Sequence, residues 1–187
     1  MAEEIEVKLR IRDGDEARRR LGGAGAVALS PRVFERNRVY DDARGMLRKS
    51  GRLLRLRTAG NVHLLTLKAK PPAGEDSGYK VRIEHESHVE DADAVHQVLL
   101  GLGYKVTYRY EKYRQPYRLG EVEVLLDETP IGAFLELEGR PRAIDDAARA
   151  LGYSREDYVL KTYRQLHQEA AGTDDPGDLV FDAGAVP

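Results

Sequence analysis

No cysteine occurs anywhere in the 187 residues, so disulfides, thiolate metal sites and cysteine nucleophiles are excluded at once. Tryptophan is absent as well and phenylalanine occurs three times, which leaves ten tyrosines as nearly all the aromatic surface on which a base could stack. No apolar run approaches the length needed to cross a bilayer, and the opening MAEEIEVKLR is acidic and strand-like rather than a basic stretch followed by a hydrophobic one. A bulk excess of one charge is also missing: 30 basic against 32 acidic residues leave a formal charge of -2. That balance gives no reason to expect nucleic acid or membrane as a partner, and a cytoplasmic protein is expected.

What the chain does have is charge in quantity, 33% of residues, beside 41% hydrophobic residues. Its length suits one domain with a real core. That domain is expected over residues 1–170. A tail over 171–187 follows, in which Ala171-Gly172-Thr173-Asp174-Asp175-Pro176-Gly177-Asp178 reads as flexible and Leu179-Val180-Phe181 as a short apolar stretch able to dock.

The charge is patterned. From Glu3 to Ile11, Ile5, Val7, Leu9 and Ile11 alternate with Glu4, Glu6, Lys8 and Arg10, the period of two that marks a strand with one apolar and one charged face. The same alternation predicts strands over 33–42, 52–57, 62–70, 79–88, 104–117, 121–127 and 133–138, with turns at Ala59-Gly60-Asn61, 71–78, Arg118-Leu119-Gly120 and 129–132. Helices are predicted after Asp13, over the Val95, Val98, Leu99 and Leu102 stripe, at Ile144 to Leu151, and from Glu156 to about Glu169 behind a Ser154 cap. Strands with short turns and few helices point to an α+β antiparallel arrangement rather than alternating βαβ units.

Any one such strand reads most simply as the solvated outer face of an antiparallel sheet. The composition of the faces argues otherwise, because Glu4/Glu6, Arg55/Arg57, Lys68/Lys70, Lys80/Arg82, Lys112/Arg114 and Glu136/Glu138 each segregate one sign where an outer face would mix signs with Ser, Thr and Gln. Closing the sheet into a barrel would gather these faces inside. Burying so much charge is costly unless it is paired or meets ions. A polyanion with divalent cations would satisfy both signs, the basic residues taking phosphate oxygens and the carboxylates holding hard metal ions.

Glu4-x-Glu6-x-Lys8 at the start of the chain resembles the signature of the CYTH superfamily, the triphosphate tunnel metalloenzymes. The similarity continues in order through Leu54-Arg55-Leu56-Arg57, Leu65-Thr66-Leu67-Lys68, Arg82-x-Glu84-x-Glu86, Lys112-x-Arg114, Asp127 and Gly132-x-Phe134-x-Glu136-x-Glu138. It spans about Glu3 to Gln165.

The resemblance implies a closed eight-stranded antiparallel β-barrel, a tunnel with helices packed outside. It implies activities that include thiamine triphosphatase, inorganic triphosphatase and class IV adenylate cyclase. On the same footing, Lys8, Arg55, Arg57, Lys68, Arg82, Lys112 and Arg114 would grip the phosphates, while Glu4, Glu6, Asp127, Glu136 and Glu138 would hold one or two Mg²⁺ or Mn²⁺ ions. Lys68, Tyr40 and Glu6 form the expected catalytic set, with Lys68 beside Tyr40 as a proton acceptor because clustered lysines depress one another's pKa.

Glu84 and Glu86 read equally well as partners of neighbouring lysines. The five histidines show no repeating ligand spacing. The expected function is metal-dependent hydrolysis of a small triphosphate: inorganic triphosphate, a nucleoside triphosphate or thiamine triphosphate. A cyclase forming cyclic AMP and pyrophosphate is the alternative, and a non-catalytic polyphosphate or nucleotide binder a third reading that the paired carboxylates disfavour. The expected partner is the small-molecule triphosphate, with a homodimer left open.

Overall fold

The computed structural model describes residues 2–71 and 78–182; the turn expected over 71–78 falls largely outside that range. In chain order the strands are β1 (Ala2–Ile11), β2 (Val27–Ala28), β3 (Val33–Asp41), β4 (Leu53–Ala59), β5 (Val62–Ala69), β6 (Lys80–Val89), β7 (Lys105–Leu119), β8 (Val122–Thr129), β9 (Gly132–Glu138) and β10 (Tyr158–Val159). The α-helices are α1 (Gly14–Gly23), α2 (Met46–Lys49), α3 (Ala92–Gly101), α4 (Pro141–Ala150) and α5 (Tyr163–Ala171).

Eight strands run in the order β1-β6-β5-β4-β3-β7-β8-β9, and β9 pairs back onto β1, so the antiparallel sheet closes on itself. β1 makes the closure possible by serving two neighbours along its length. Its first half pairs with β6 as far as Glu6↔Lys80, and its second half pairs with β9 from Glu6↔Glu138 to Ile11↔Ala133. Where β6 has ended, β10 takes over that edge of β1 at Lys8↔Val159. The connections are tight: Gly60 opens the two-residue loop between Ala59 and Val62 at φ +59°, a conformation that costs glycine nothing and a side chain much.

Much of the apolar parity of β1, β8 and β9 faces outward onto helices. Val7, Leu9 and Ile11 of β1, Val122, Val124 and Leu126 of β8, and Leu135 and Leu137 of β9 pack against Ala17 and Leu21 of α1 and Ile144, Ala147 and Ala148 of α4. Each fully buried leucine here contributes about 1.5–3 kcal/mol. Asp13 caps α1 by accepting from the Glu16 amide at 2.8 Å, and Pro141 starts α4 where a missing amide costs nothing. A second outer cluster of Tyr40, Leu56 and Leu99 lies under α3.

One expectation is corrected. The continuous helix from Glu156 does not form: a 3-10 turn at Arg155–Asp157, capped reciprocally by Ser154 and Asp157, leads into β10, and α5 starts only at Tyr163 behind a Thr162/Gln165 capping box. Pairing of Tyr158 and Val159 with the free edge of β1 outweighs local helix preference. Past α5, the apolar stretch of the tail docks at Leu179, which bridges in parallel to Tyr110 of β7.

Candidate active site

The register fixes what points inward. Glu4 lies opposite Arg82, Glu6 opposite both Lys80 and Glu138, and Lys8 opposite Glu136. Arg55 lies opposite Thr66 and Lys68 opposite Glu84, while Arg114 faces both Val33 and Asp127. Cross-strand partners share a face, so one parity of every barrel strand contributes to a single charged lumen. The lumen holds a cavity of 1010 Å³ whose wall includes Glu4, Glu6, Glu138, Lys80, Arg82 and Arg114. All seven residues expected to grip phosphate line it.

Most of these charges are paired. Asp127, fully buried, accepts from Arg114 Nε at Oδ1 and from Arg114 Nη2, Lys112 Nζ and the Tyr163 hydroxyl at Oδ2, each at 2.7 Å. Glu136 meets Arg114 at 2.6 Å and Lys8 at 3.2 Å, and although burial opposes its charge, Lys8 and Arg114 hold its carboxyl well below the usual range. Glu6 is likewise buried, yet Lys8 at 2.8 Å and a close contact from Lys80 push it down to about 2. Arg57 reaches Glu35 at 3.4 Å, and Arg55 donates to the Tyr110 hydroxyl and to Thr66 Oγ1, each at 3.3 Å.

Among the residues expected in the site, two charged groups stand apart. Arg82 makes no ion pair among the described residues and donates only to the Val81 carbonyl at 2.8 Å. Glu138 makes none either; burial first, then the neighbouring Glu136, raise its carboxyl to about 8. Its oxygen and those of Glu4 and Glu6 lie within 4.8 Å of one another. Three hard oxygen donors, one of them without a balancing cation, fit a divalent ion of the Mg²⁺ or Mn²⁺ type.

The expected metal set therefore divides. Glu4, Glu6 and Glu138 converge, Glu136 is held by cations beside them, and Asp127 is occupied by three donors on the far side of Arg114. The expected meeting of Lys68 and Tyr40 is not found. Tyr40 pairs across strands with outward Leu54, packs against Leu56 and Leu99, and meets His96 Nδ1 through its hydroxyl at 2.9 Å. Lys68 instead binds Glu4 at 2.6 Å and Glu84 at 3.3 Å; burial disfavours its charge, but Glu4, Glu6 and Glu84 together outweigh that and its pKa rises rather than falls. The lysine whose pKa does fall is Lys80, through burial and the charge of Lys8.

Some residues of the wall lie outside the expected site set. Lys80 shares the parity of Arg82 and was legible there. Glu35 sits on a strand with too little alternation to expose it, and Tyr163 arrives from α5, where strand parity says nothing.

A closed antiparallel barrel with a cation-lined lumen around a carboxylate cluster defines the triphosphate tunnel class of proteins. The chain belongs to the CYTH family, whose model, described as the CYTH domain, matches residues 2–163. It is 25% identical over 174 residues to the Methanocaldococcus jannaschii protein named "Putative adenylate cyclase MJ0240", covering 87% of this chain and 97% of that protein. Among solved structures it resembles the PH1012 protein of Pyrococcus horikoshii, at 27% identity and a TM-score of 0.70 over 86% of this chain and 96% of the other. It shares the fold of a Hippeastrum protein, HpAC1, described as a "putative adenylyl cyclase" with a dominant triphosphatase activity, at 17% identity and a TM-score of 0.64, covering 91% and 96% of the two chains.

Proposed function

We propose that the chain hydrolyses a small triphosphate inside the tunnel with the help of a divalent ion. The observation that carries this reading is the convergence of Glu4, Glu6 and Glu138 within one cavity that also presents Lys8, Arg55, Lys80, Arg82 and Arg114. An anion binder would need the cations alone.

Glu4, Glu6 and Glu138 would hold Mg²⁺ or Mn²⁺. When bound, such an ion neutralises charge developing on phosphate oxygens and lowers the pKa of water. The chain's own residues do the remaining work. Arg82, with no carboxylate partner among the described residues, offers its guanidinium to phosphate oxygens. Lys8 and Arg114 present charge from fixed positions because Glu6, Glu136 and Asp127 anchor them, so little reorganisation accompanies binding. Lys68 stays protonated between Glu4 and Glu84 and acts as a binding cation rather than a base.

The aromatic faces support a phosphate-centred substrate. Tyr108, Tyr110 and Tyr163 are buried against one another and against Phe134, which leaves them little face on which to stack a base. Cyclisation of ATP is the second reading, favoured by the name of the Methanocaldococcus relative. The test is to incubate purified protein with tripolyphosphate, ATP and thiamine triphosphate, with and without Mg²⁺ or Mn²⁺, and to resolve the products. Orthophosphate released only with metal is the expected result. Cyclic AMP with pyrophosphate would replace hydrolysis by cyclisation.

A further inference from the structure

The family match ends at residue 163, yet the chain returns to the tunnel after α5. Gly172, left-handed at φ +67°, ends that helix, and Gln168 holds the reversing loop through the Asp174 carbonyl at 2.6 Å. Residues 178–181 then run along β7. Its partner β8 reaches only as far as Tyr113↔Glu128, so the edge of β7 before Tyr113 is open on that side. Leu179 fills it, its amide donating to the Arg109 carbonyl at 2.9 Å and its carbonyl accepting from Glu111 at 2.8 Å. Asp178 accepts from the Arg109 amide at 2.7 Å, and Phe181 packs on Phe34 and Tyr113.

The Leu179 side chain is 2% exposed and belongs to one cluster with Tyr108, Tyr110, Phe134, Tyr163 and Leu166. Two of those tyrosines end in the site. The Tyr110 hydroxyl accepts from Arg55, and the Tyr163 hydroxyl donates to Asp127, the carboxylate that clamps Arg114 and Lys112. We infer that the C-terminal strap is a working part of the tunnel, with Leu179 a positioning residue that sets Arg55 and Arg114 for phosphate by packing the cluster of Tyr110 and Tyr163. Truncating this leucine leaves a void that its neighbours only partly fill, so the rings gain freedom and their hydroxyls lose their fixed aim.

The inference deepens the triphosphate reading above, and one of its two readouts stands without that reading. In the free protein, hydrogen exchange at Arg114 Nε, which donates to Asp127 at 2.7 Å, is expected to quicken by about tenfold in Leu179→Ala. In calorimetric titration with inorganic tripolyphosphate, Leu179→Ala is expected to weaken Kd by about tenfold, with Leu179→Met, which conserves volume, restoring most of it. The loss should shrink in a Tyr110→Phe/Tyr163→Phe background, because leucine and hydroxyls act through one another. A merely structural strap would lower Tm while leaving Arg114 Nε exchange and Kd unchanged well below the melt, and that result overturns the inference. A wild-type protein that binds tripolyphosphate without cleaving it removes only the hydrolase reading. One that does not bind it removes the triphosphate reading as a whole, and the Arg114 exchange rate still decides the role of Leu179.

Discussion

Arg114 grips both oxygens of Asp127, Nε on Oδ1 and Nη2 on Oδ2, each at 2.7 Å, and Asp127 is completely buried. The same Arg114 Nη2 also reaches Glu136 at 2.6 Å, so this guanidinium ties the anion behind the wall to one that faces the cavity. Asp127 thus works as a keystone for cations. Replacing it with Asn removes the charge and leaves Lys112 and Arg114 buried without their shared partner. Asp127→Asn is expected to cost about 3–5 kcal/mol of stability in urea unfolding, the range for breaking a buried pair by removing one member. Its Mg²⁺ affinity, measured on the fraction that folds, should stay near wild type. A large loss of metal affinity with little loss of stability would return Asp127 to the metal set.

Much of the tunnel was legible because strand parity is a strict code: Glu4, Glu6, Lys8, Arg55, Arg57, Lys68, Arg82, Lys112 and Arg114 point where alternation places them. What parity does not carry is which charge meets which. The division of the acids into a convergent group and an anchored group depends on register across neighbouring strands and on Tyr163, which arrives from a helix. Tyr40 was drawn toward Lys68 by family resemblance, against its own parity beside outward Leu54. The strap was legible only as an apolar stretch, since its place depends on where β8 stops pairing with β7.

Arg82 offers the opposite case to Asp127, a charged group of the wall with no ion pair among the described residues. Removing it breaks no ion pair among the described residues and costs one hydrogen bond to the Val81 carbonyl. Arg82→Gln is expected to change stability by no more than about 0.5 kcal/mol, as for a substitution away from packed or paired features. The same variant should bind tripolyphosphate about tenfold more weakly, since a charge-assisted contact to phosphate is lost. Unchanged affinity in calorimetric titration would mean that phosphate passes Arg82 by.

Tyr40 borders the cavity, yet its hydroxyl turns to α3 outside it. Its hydroxyl bonds His96 under α3, and burial raises its pKa, so it is poorly suited to surrendering a proton to the lumen. Tyr40→Phe keeps the ring that packs on Leu56 and Leu99 and loses one hydrogen bond, at a cost of about 1 kcal/mol. Turnover of the triphosphate should remain within about twofold of wild type, a change too small for loss of a general acid or base. A drop of a hundredfold or so in kcat with stability preserved would place the hydroxyl in the chemistry after all.

A pH dependence of the candidate site is expected from Glu138. Its carboxyl titrates at about 8 in the folded chain, against an ordinary 4.5, because burial and Glu136 oppose its charge. The folded state therefore holds this proton more tightly than the unfolded state does. The group's favourable contribution is complete below the ordinary value, declines as pH rises, and is lost once pH passes about 8. Glu138→Gln, a neutral isostere, should then make the metal-free protein more stable than wild type above that pH and nearly equal to it in mild acid, read from urea unfolding in a chelator. A cation entering beside Glu4 and Glu6 must displace the same proton, so Mg²⁺ affinity of the wild-type protein should climb between about pH 6 and about pH 8 with release of one proton, then level off. Glu138→Gln should flatten that climb and weaken Mg²⁺ binding by at least about tenfold, a loss that even outer partners of a metal site produce. A pH-independent affinity in the wild type, or a Gln variant that binds Mg²⁺ as tightly, would take Glu138 out of the metal site and leave its raised pKa a matter of burial alone.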